Sequence, residues 1–367
     1  MLDYSSILAQ RETEGLLRKL KPPVTGIDFC SNDYLGIAKS YLAQLDTSHS
    51  INSSNSGATG SRLLSGNYLG YEKLEQDIAQ FHHASAALIY PSGYQANVGL
   101  LQCIAQKGDT LILDELAHAS LIDGARLSYA KRFKFFHNDL QDLRKKLEKA
   151  SGNVFVVIES VYSMNGDIAD IKSIVEICKR FNANLIVDEA HSGAIYGTKG
   201  EGLSVEMNVH QDIFARIITY GKGFGSHGAA ILGNQNLITY LVNFSRAFIY
   251  STGLSPIQIE SIRLAYKHVE QCDTERKKLF KNIQYFKSKI KNRNQWLSSN
   301  SPIQSLIIPG NQNVKNISKQ LNQNGFSVFP ILSPTVAINT ERIRFCIHSY
   351  NSIEEIDSLF LILKRIL

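Results

Sequence analysis

Lys222 lies between two glycines, directly after the apolar segment 217–220, and this setting is unusual for an ordinary surface charge. Glycine lacks side-chain bulk, so a planar ligand can approach the backbone closely. A lysine amine in a partly dry site loses its proton more readily and can form a Schiff base with an aldehyde. One helix and strand upstream, Asp188 ends another apolar segment. Pyridoxal phosphate requires both a lysine amine and an acidic partner for its pyridine nitrogen, so we expect Lys222 and Asp188 to bind it.

Each neighbouring polar residue also has a simpler explanation. A lysine in a glycine-rich loop is more often a phosphate contact or a solvated charge. His191 could hydrogen-bond the phenolic oxygen of the cofactor, whereas Asp-x-x-His spacing alone is thin support for a metal site. His118 could stack on the ring or donate a proton, although a histidine that starts a helix is often only a polar cap. We predict no metal site, and the pairing of Lys222 with Asp188 favours the cofactor.

A second motif suits the phosphate of such a cofactor. Gly93 and Tyr94 open a predicted helix directly after the strand pattern at 86–90. Backbone N–H groups and the dipole at a helix N-terminus favour an anion at this position. Ser92 could instead be a plain N-cap and Tyr94 an ordinary packing residue. The motif alone therefore does not indicate a phosphate site, and Lys222 and Asp188 elsewhere in the chain are what favour one.

The elements that must position these residues alternate between helix and strand from about residue 70 to residue 235, which is typical of a mostly parallel α/β sheet. The strand patterns are continuously apolar, so helices are expected on both faces of the sheet. Ligands bind such sheets beyond the carboxyl ends of the strands, which is where the candidate residues fall. The predicted strands are 86–90, 110–113, 154–158, 185–187 and 217–219.

The composition is that of a folded enzyme. The chain has 367 residues, of which 44% are hydrophobic and 20% charged, and this size suits a large α/β domain with a smaller one. Its five scattered cysteines form no Cys-x-x-Cys pair, which favours reduced thiols and a cytoplasmic location. We expect no membrane association, and the mild net charge of +6 is not concentrated in a module for nucleic acid.

Four motifs, in order along nearly the whole chain, resemble the α-oxoamine synthases, which are fold-type-I pyridoxal phosphate enzymes. The motifs are Ser31-Asn32-Asp33-Tyr34-Leu35-Gly36, Gly57-Ala58-Thr59-Gly60-Ser61-Arg62, Asp188-Glu189-Ala190-His191 and Thr219-Tyr220-Gly221-Lys222-Gly223-Phe224-Gly225. The resemblance implies a mostly parallel seven-stranded sheet with helices on both faces and a small α+β C-terminal domain. We expect an N-terminal arm at 1–45, a large cofactor-binding domain at 46–255 and the small domain at 256–367.

The resemblance also assigns roles to individual residues. The expected catalytic residues are Lys222 as the Schiff-base lysine, Asp188 as the partner of the pyridine nitrogen and His118 on the ring face. The further expected cofactor-binding residues are His191, Gly93, Tyr94, Ser163, Thr219 and Thr252, the last of which would reach the phosphate of a neighbouring subunit. The expected substrate-binding residues are Arg344, which would grip the amino-acid carboxylate, together with Asn32, Thr335 and Arg18. Arg18 is the candidate for the far carboxylate of the acyl chain.

Enzymes of this family condense an amino acid with an acyl thioester and release carbon dioxide. The resemblance implies a homodimer with active sites at the interface, acting on an acyl-coenzyme A or an acyl-carrier protein. The loop 221–225 and the segment 227–230 favour L-alanine and a pimeloyl thioester, while glycine, serine and other acyl chains remain alternatives. A regulatory protein with the same fold, or a silent partner subunit, is disfavoured because Lys222 is present.

Overall fold

The computed structural model describes residues 3–20, 25–41, 56–291 and 293–367. The chain divides into two compact units, each built from separate stretches of sequence. The small unit comprises Met1–Ser31, Met164–Asp167 and Lys277–Leu367, and the large unit comprises Asn32–Ser163 and Ile168–Arg276. Residues 256–276 thus group with the large unit, whereas the sequence-based division assigns them to the small domain. The expected boundary at residue 45 lies outside the described residues.

The secondary structure is numbered here in chain order. The strands are β1 Ile27–Asp28, β2 Ala86–Tyr90, β3 Thr110–Asp114, β4 Lys131–Phe135, β5 Val154–Glu159, β6 Asn184–Asp188, β7 Ala215–Thr219, β8 Ala229–Gly233, β9 Ile303–Ile307, β10 Phe326–Ser327, β11 Pro330–Ile331 and β12 Arg342–Cys346. The helices are α1 Ser5–Thr13, α2 Ile37–Tyr41, α3 Leu69–Phe81, α4 Gly93–Ile104, α5 Ala119–Leu127, α6 Leu140–Leu147, α7 Ile171–Arg180, α8 Leu203–Glu206, α9 Gln235–Phe244, α10 Arg246–Ile249, α11 Pro256–Gln271, α12 Asp273–Lys289, α13 Asn311–Gln323 and α14 Ile353–Ile366. Within the described residues, none of these helices combines the length and the apolar character that crossing a membrane requires.

Strands β2 to β8 form a seven-stranded sheet in the large unit, with the order β2-β8-β7-β6-β5-β3-β4. Neighbouring strands run parallel from β7 through β6, β5 and β3 to β4. Strand β8 is antiparallel to both of its neighbours, so β2 points the same way as the parallel strands. The predicted mostly parallel seven-stranded sheet is confirmed, and the carboxyl ends of six of its strands lie at one edge.

Burial explains why these segments are strands. Every residue of β2, β3 and β5 is buried, as expected for strands that helices cover on both faces. Leu88, Val157 and Ile217 of the sheet belong to one core with Leu101 of α4 and Leu121 of α5. Strand β4 differs because it lies at the edge of the sheet and leaves most of its residues exposed or half-buried.

The small unit contains two further sheets. Strands β11, β12 and β9 form an antiparallel sheet in that order. Strand β1 pairs in parallel with β10, so that Ile27 lies opposite Phe326 and Asp28 opposite Ser327. Helices α13 and α14 pack against each other beside these strands. This arrangement confirms the expected small α+β domain and adds an N-terminal strand to it.

Candidate active site

The sheet of the large unit brings most of the candidate cofactor residues to one edge. Gly93 follows β2, His118 follows β3, Ser163 follows β5, Asp188 ends β6 and Lys222 follows β7. Because these strands point the same way, their carboxyl ends define a single site, which is where parallel sheets bind ligands. The candidate residues therefore lie together at the sheet edge that the sequence analysis expects for the site.

The loop that carries Lys222 is a tight turn held by its own backbone. The Ser226 N–H donates to the Tyr220 carbonyl at 2.8 Å, and the Gly225 N–H donates to the Lys222 carbonyl at 2.9 Å. Gly225 has a φ of 60°, and a Cβ atom there would collide with the backbone of Ala38. Only glycine fits this position. Gly225 therefore permits the turn that positions the Cα atom of Lys222.

The Lys222 amine begins a chain of hydrogen bonds. Its Nζ lies 2.8 Å from Nε2 of His191, and Nδ1 of that ring lies 2.7 Å from the Tyr34 hydroxyl. The Tyr34 hydroxyl donates in turn to Oδ1 of Asn32 at 3.1 Å. Because Tyr34 uses its hydrogen on Asn32, Nδ1 of His191 must be the donor and Nε2 is left to accept from the lysine. His191 and Tyr34 are both buried, so this order is protected from water.

Asp188 is held as a buried carboxylate with both oxygens engaged. Its Oδ1 accepts from the Ala190 N–H at 2.9 Å, and its Oδ2 accepts from Nδ2 of Asn97 at 2.8 Å. Only 5% of the residue is exposed. An ionised carboxylate is what a protonated pyridine nitrogen needs as its partner.

Gly93 and Thr219 form the part of the site that fits a phosphate. Gly93 begins α4, whose first N–H groups lack acceptors within the helix, while Ser92 accepts only from the Gln95 N–H at 3.2 Å. A Cβ atom on residue 93 would collide with the Thr219 side chain, so glycine keeps this space open. Thr219 Oγ1 is buried and has no hydrogen-bond partner among the described residues. A phosphate oxygen would supply that partner, so the residues present fit pyridoxal phosphate.

His118 and Ser163 lie where the sequence predicted, and each is held by neighbouring residues. His118 is the N-cap of α5, and its Nδ1 lies 2.7 Å from the Ser120 hydroxyl. Burial lowers the pKa of His118, and the charge of Lys222 lowers it further, against the opposing effect of Asp188. Ser163 is buried, and its N–H donates to Oε2 of Glu159 at 3.2 Å.

Glu159 is a site residue that the sequence analysis missed. It ends β5 directly beside Asp188, its register partner on β6. Burial raises the pKa of Glu159 to about 8, with a second contribution from the negative charge of Asp188. Its Oε1 has no hydrogen-bond partner among the described residues. Glu159 therefore carries a proton near neutral pH.

We expect Glu159→Gln to flatten the pH dependence of stability. The folded protein keeps the Glu159 proton up to about pH 8, whereas the unfolded chain releases it near pH 4.5. In that window the native state binds more protons, so the parent loses stability as pH rises. The variant cannot titrate and should lose less. Urea midpoints measured from pH 5 to pH 8 check this, with the exposed Glu148→Gln as control. Parallel curves for parent and Glu159→Gln would contradict it.

Two candidate cofactor residues make contacts that do not bear on their expected roles. Tyr94 is half exposed, and its hydroxyl donates to Oδ2 of Asp123 at 2.8 Å. Thr252 is exposed and forms an isolated bridge with Ser61. The roles of Tyr94 at the phosphate side and of Thr252 towards a second subunit stay predictions.

The small unit holds three of the four candidate substrate residues; Asn32 belongs to the large unit. Arg344 lies in β12 opposite Ser305 of β9, and its Nη1 donates to Sγ of Cys346 at 3.0 Å. Arg18 and Thr335 line one cleft of about 1100 Å³. The described residues that line this cleft include no acidic side chain and five basic ones, Arg11, Arg18, Lys19, Lys315 and Lys319. Such a charge balance favours an anionic ligand.

The sequence analysis gave no chemical role to four site residues, although the sequence position of each could have indicated one. Glu159 ends an otherwise apolar strand, and Asn97 lies on the buried face of α4, one turn after Gly93. Tyr34 lies within the motif 31–36, where only Asn32 received a role. Ser120 follows His118 by two residues. A polar residue at a position where the pattern predicts burial is the signal common to Glu159 and Asn97.

Comparison with known proteins gives consistent results. The chain matches the model of the aminotransferase class I and II family over residues 24–359. It is 38% identical to an 8-amino-7-oxononanoate synthase of Emericella nidulans, over 96% of this chain and 92% of that protein. The structure of an 8-amino-7-oxononanoate synthase of Francisella tularensis aligns with a TM-score of 0.80 at 27% identity, covering 93% of this chain and 97% of that one. A serine palmitoyltransferase of Sphingomonas wittichii aligns with a TM-score of 0.90 at 25% identity, covering 99% and 96%.

Proposed function

Because this chain belongs to the aminotransferase class I and II family and, within it, to the α-oxoamine synthases, we propose that it condenses L-alanine with a pimeloyl thioester. The products are 8-amino-7-oxononanoate, carbon dioxide and the free thiol of coenzyme A or of a carrier protein. This reaction is a step of biotin synthesis. The enzyme acts on an amino acid and an acyl thioester, and its cofactor is pyridoxal phosphate.

One observation carries the proposal. In the large unit, the Lys222 amine lies 2.8 Å from His191, at the same sheet edge as the buried Asp188 carboxylate. The Thr219 hydroxyl, which has no hydrogen-bond partner among the described residues, lies at this edge too. A regulatory protein or a phosphate-binding loop would need only the phosphate-binding part of the site, near Gly93 and Thr219. The added amine and carboxylate are groups that reaction chemistry requires.

The roles of Lys222 and Asp188 follow from their chemistry. When bound, pyridoxal phosphate supplies an aldehyde that joins amines and a pyridine ring that withdraws electrons from an attached amino acid. Asp188 holds a proton at the pyridine nitrogen, so the ring withdraws electrons strongly. Lys222 would bind the aldehyde of the cofactor, and its amine would serve as the general base for the Cα proton of alanine. His191 accepts a hydrogen bond from the free Lys222 amine, and we propose that its ring lies beside the phenolic oxygen of the bound cofactor.

The remaining cofactor residues bind rather than react. The phosphate would be held by Thr219 and by the helix N-terminus at Gly93 and Tyr94, with Ser163 as a further contact. Thr252 would reach the phosphate of a second copy of the chain, which makes the active enzyme a homodimer with sites at the interface. The five cysteines are free thiols, which supports a cytoplasmic location.

Substrate binding is assigned to Arg344, Asn32, Arg18 and Thr335. Arg344 would bind the carboxylate of alanine, helped by Asn32, and would thereby fix the orientation of the Cα–H bond for removal of the proton. Arg18 and Thr335 bind the acyl chain in the basic cleft that they line. A pimeloyl chain ends in a carboxylate, and the charge of this cleft suits it. His118 donates a hydrogen bond to the thioester carbonyl.

Other members of the family are the alternatives. A 2-amino-3-ketobutyrate ligase would use glycine and acetyl-coenzyme A, a 5-aminolevulinate synthase glycine and succinyl-coenzyme A, and a serine palmitoyltransferase serine and palmitoyl-coenzyme A. The basic cleft disfavours a long acyl chain without a terminal charge. A product assay with alanine, glycine and serine, each offered with these acyl thioesters and with the pimeloyl thioester, tests the proposal. Faster turnover of any other pair would replace it.

We expect Arg344→Ala to raise the apparent KM for alanine sharply while the enzyme retains its cofactor. Without the arginine the substrate carboxylate is not fixed, so Cα rotates away from the reactive orientation. A loss of one ion pair with hydrogen bonds corresponds to about 2–4 kcal/mol, or roughly 30- to 1000-fold in kcat/KM. Release of Cα deuterium from labelled L-alanine measures the effect. The exposed Arg365→Ala is the control, and unchanged exchange in Arg344→Ala would remove the assigned role.

A further inference from the structure

Asn97 and Ser120 connect two of the active-site groups through a buried chain of hydrogen bonds. Nδ2 of Asn97 lies 2.8 Å from Oδ2 of Asp188 and 2.9 Å from the Ser120 hydroxyl oxygen. That hydroxyl lies 2.7 Å from Nδ1 of His118. Asn97 and Ser120 are 2% and 1% exposed, so water does not compete for these contacts. The chain joins the carboxylate at the end of β6 to the histidine after β3.

The direction of each hydrogen bond follows from the groups themselves. The Asp188 carboxylate can only accept, so the amide nitrogen of Asn97 must face it. The second hydrogen of that nitrogen points to the Ser120 oxygen, which leaves the serine hydrogen for Nδ1 of His118. Asn97 Oδ1 has no partner among the described residues, so the amide orientation is set by these two donated bonds.

A second bond fixes the state of the histidine ring. The backbone N–H of Ser120 donates to Nδ1 of His118 at 3.2 Å, and a backbone N–H can only donate. Nδ1 therefore accepts two hydrogen bonds and carries no hydrogen of its own. Both hydrogen bonds that the ring makes within the described residues end on this nitrogen.

The surrounding charges agree with a ring that is neutral overall. Burial lowers the pKa of His118, and Lys222 lowers it too, whereas Asp188 and Asp123 act in the opposite direction. A neutral ring without hydrogen on Nδ1 must carry it on Nε2. Nε2 then has one N–H to donate and no lone pair available as a base.

We infer that Asn97 and Ser120 are positioning residues that hold neutral His118 with its hydrogen on Nε2, as a hydrogen-bond donor for the thioester carbonyl of the acyl substrate. The carbonyl oxygen gains negative charge when the thioester is attacked, and a fixed donor stabilises that charge. The assignment of this partner rests on the proposed function. The state of the ring itself does not, because it follows from contacts within the protein.

The state of the ring is tested by ¹⁵N NMR on histidine-labelled, cofactor-loaded enzyme without substrates, with His118→Gln used to assign the signal. In the parent, Nδ1 should resonate as an unprotonated nitrogen and Nε2 as a protonated one. Ser120→Ala removes one of the two donors to Nδ1. Since such donors favour the neutral ring, His118 in this variant should take up a proton at higher pH than in the parent.

Ser128→Ala is the matched control. It removes a buried hydroxyl at the other end of α5, where Ser128 donates to the Ala105 carbonyl at 2.8 Å. Its His118 signals should match those of the parent. If Nδ1 carries the hydrogen in the parent, or if Ser120→Ala and the parent titrate alike, the inference is wrong.

A kinetic comparison tests the link to the acyl substrate. In Ser120→Ala we expect condensation with the pimeloyl thioester to fall by about tenfold, and exchange of the alanine Cα hydrogen to fall by less. Asn97→Leu should lower both, because it also removes a donor from Asp188. Equal losses in Ser120→Ala would overturn the role towards the thioester. Normal NMR results with no turnover of alanine and pimeloyl thioester would instead count against the proposed function alone.

Discussion

Lys222→Ala is expected to abolish condensation, with a loss of at least about four orders of magnitude in kcat. The variant lacks the base proposed to remove the Cα proton, and a positioned base alone contributes roughly 10²–10⁴-fold. It also lacks the amine that would bind the cofactor aldehyde, so the enzyme could not return to its resting form after a turnover. The amine lies 2.8 Å from His191 in the structure, and no other residue of the loop 221–225 has an amine to replace it.

The covalent link gives a readout that does not depend on turnover. Borohydride should fix the cofactor to the parent chain, which mass spectrometry detects on the peptide that contains Lys222. The variant should show no such mass addition. Lys199→Ala, which removes an exposed lysine paired with Glu270, serves as the control and should label like the parent. Full labelling of the Lys222→Ala chain would show that another residue holds the cofactor.

Asp188→Asn is expected to lower kcat by about two to four orders of magnitude, which corresponds to roughly 3–5 kcal/mol. Asparagine keeps the shape of the side chain but carries no charge to hold a proton at the pyridine nitrogen. In this variant, the amide nitrogen of Asn97 would face either the NH₂ group of the new side chain or its carbonyl oxygen, which is a weaker acceptor than a carboxylate oxygen. Binding of the cofactor should weaken much less, because the proposed phosphate contacts of Thr219 and of the N-terminus of α4 are unchanged.

Steady-state kinetics and a cofactor titration of the same preparation separate these two effects. Asp170→Asn is the matched control, since Asp170 caps α7 and asparagine is an equally good cap. That variant should retain normal turnover. Near-normal kcat in Asp188→Asn, or a cofactor affinity that falls as far as kcat, would contradict the assigned role.

Continuous burial made five strands of the large sheet predictable, although β8, which is also almost wholly buried, was not among the predicted strands. Strands β2, β3 and β5 read as apolar runs because helices cover both of their faces. Strand β4 was missed because it lies at the sheet edge, where Lys131 and Lys134 can remain in water. Its sequence gives no apolar run for a pattern to detect. Pairing with β3 decides its conformation, and a pairing partner cannot be read from local sequence.

The site was predictable only in part, for a related reason. Lys222 and Asp188 stand out because they interrupt apolar or glycine-rich segments at strand ends. Asn97 does not stand out, because the helical pattern around it is explained by its apolar neighbours. Its role depends on Asp188, which lies 91 residues away along the chain. Contacts of this kind are set by the topology of the sheet and become visible only in three dimensions.

The pairing of β1 with β10 has a consequence for how the chain folds during synthesis. Ile27 precedes its partner Phe326 by about 300 residues, so it leaves the ribosome long before that partner is made. The sequence of the large unit emerges completely in the interval, so that unit can form first. Until β10 has been made, the backbone groups of segment 27–28 lack their strand partners. Pairing β1 with β10 then closes a very long loop, which is a slow step in folding. A chain that stops before β10 would leave this early segment without its strand partner, as a target for proteases and for association with other nascent chains.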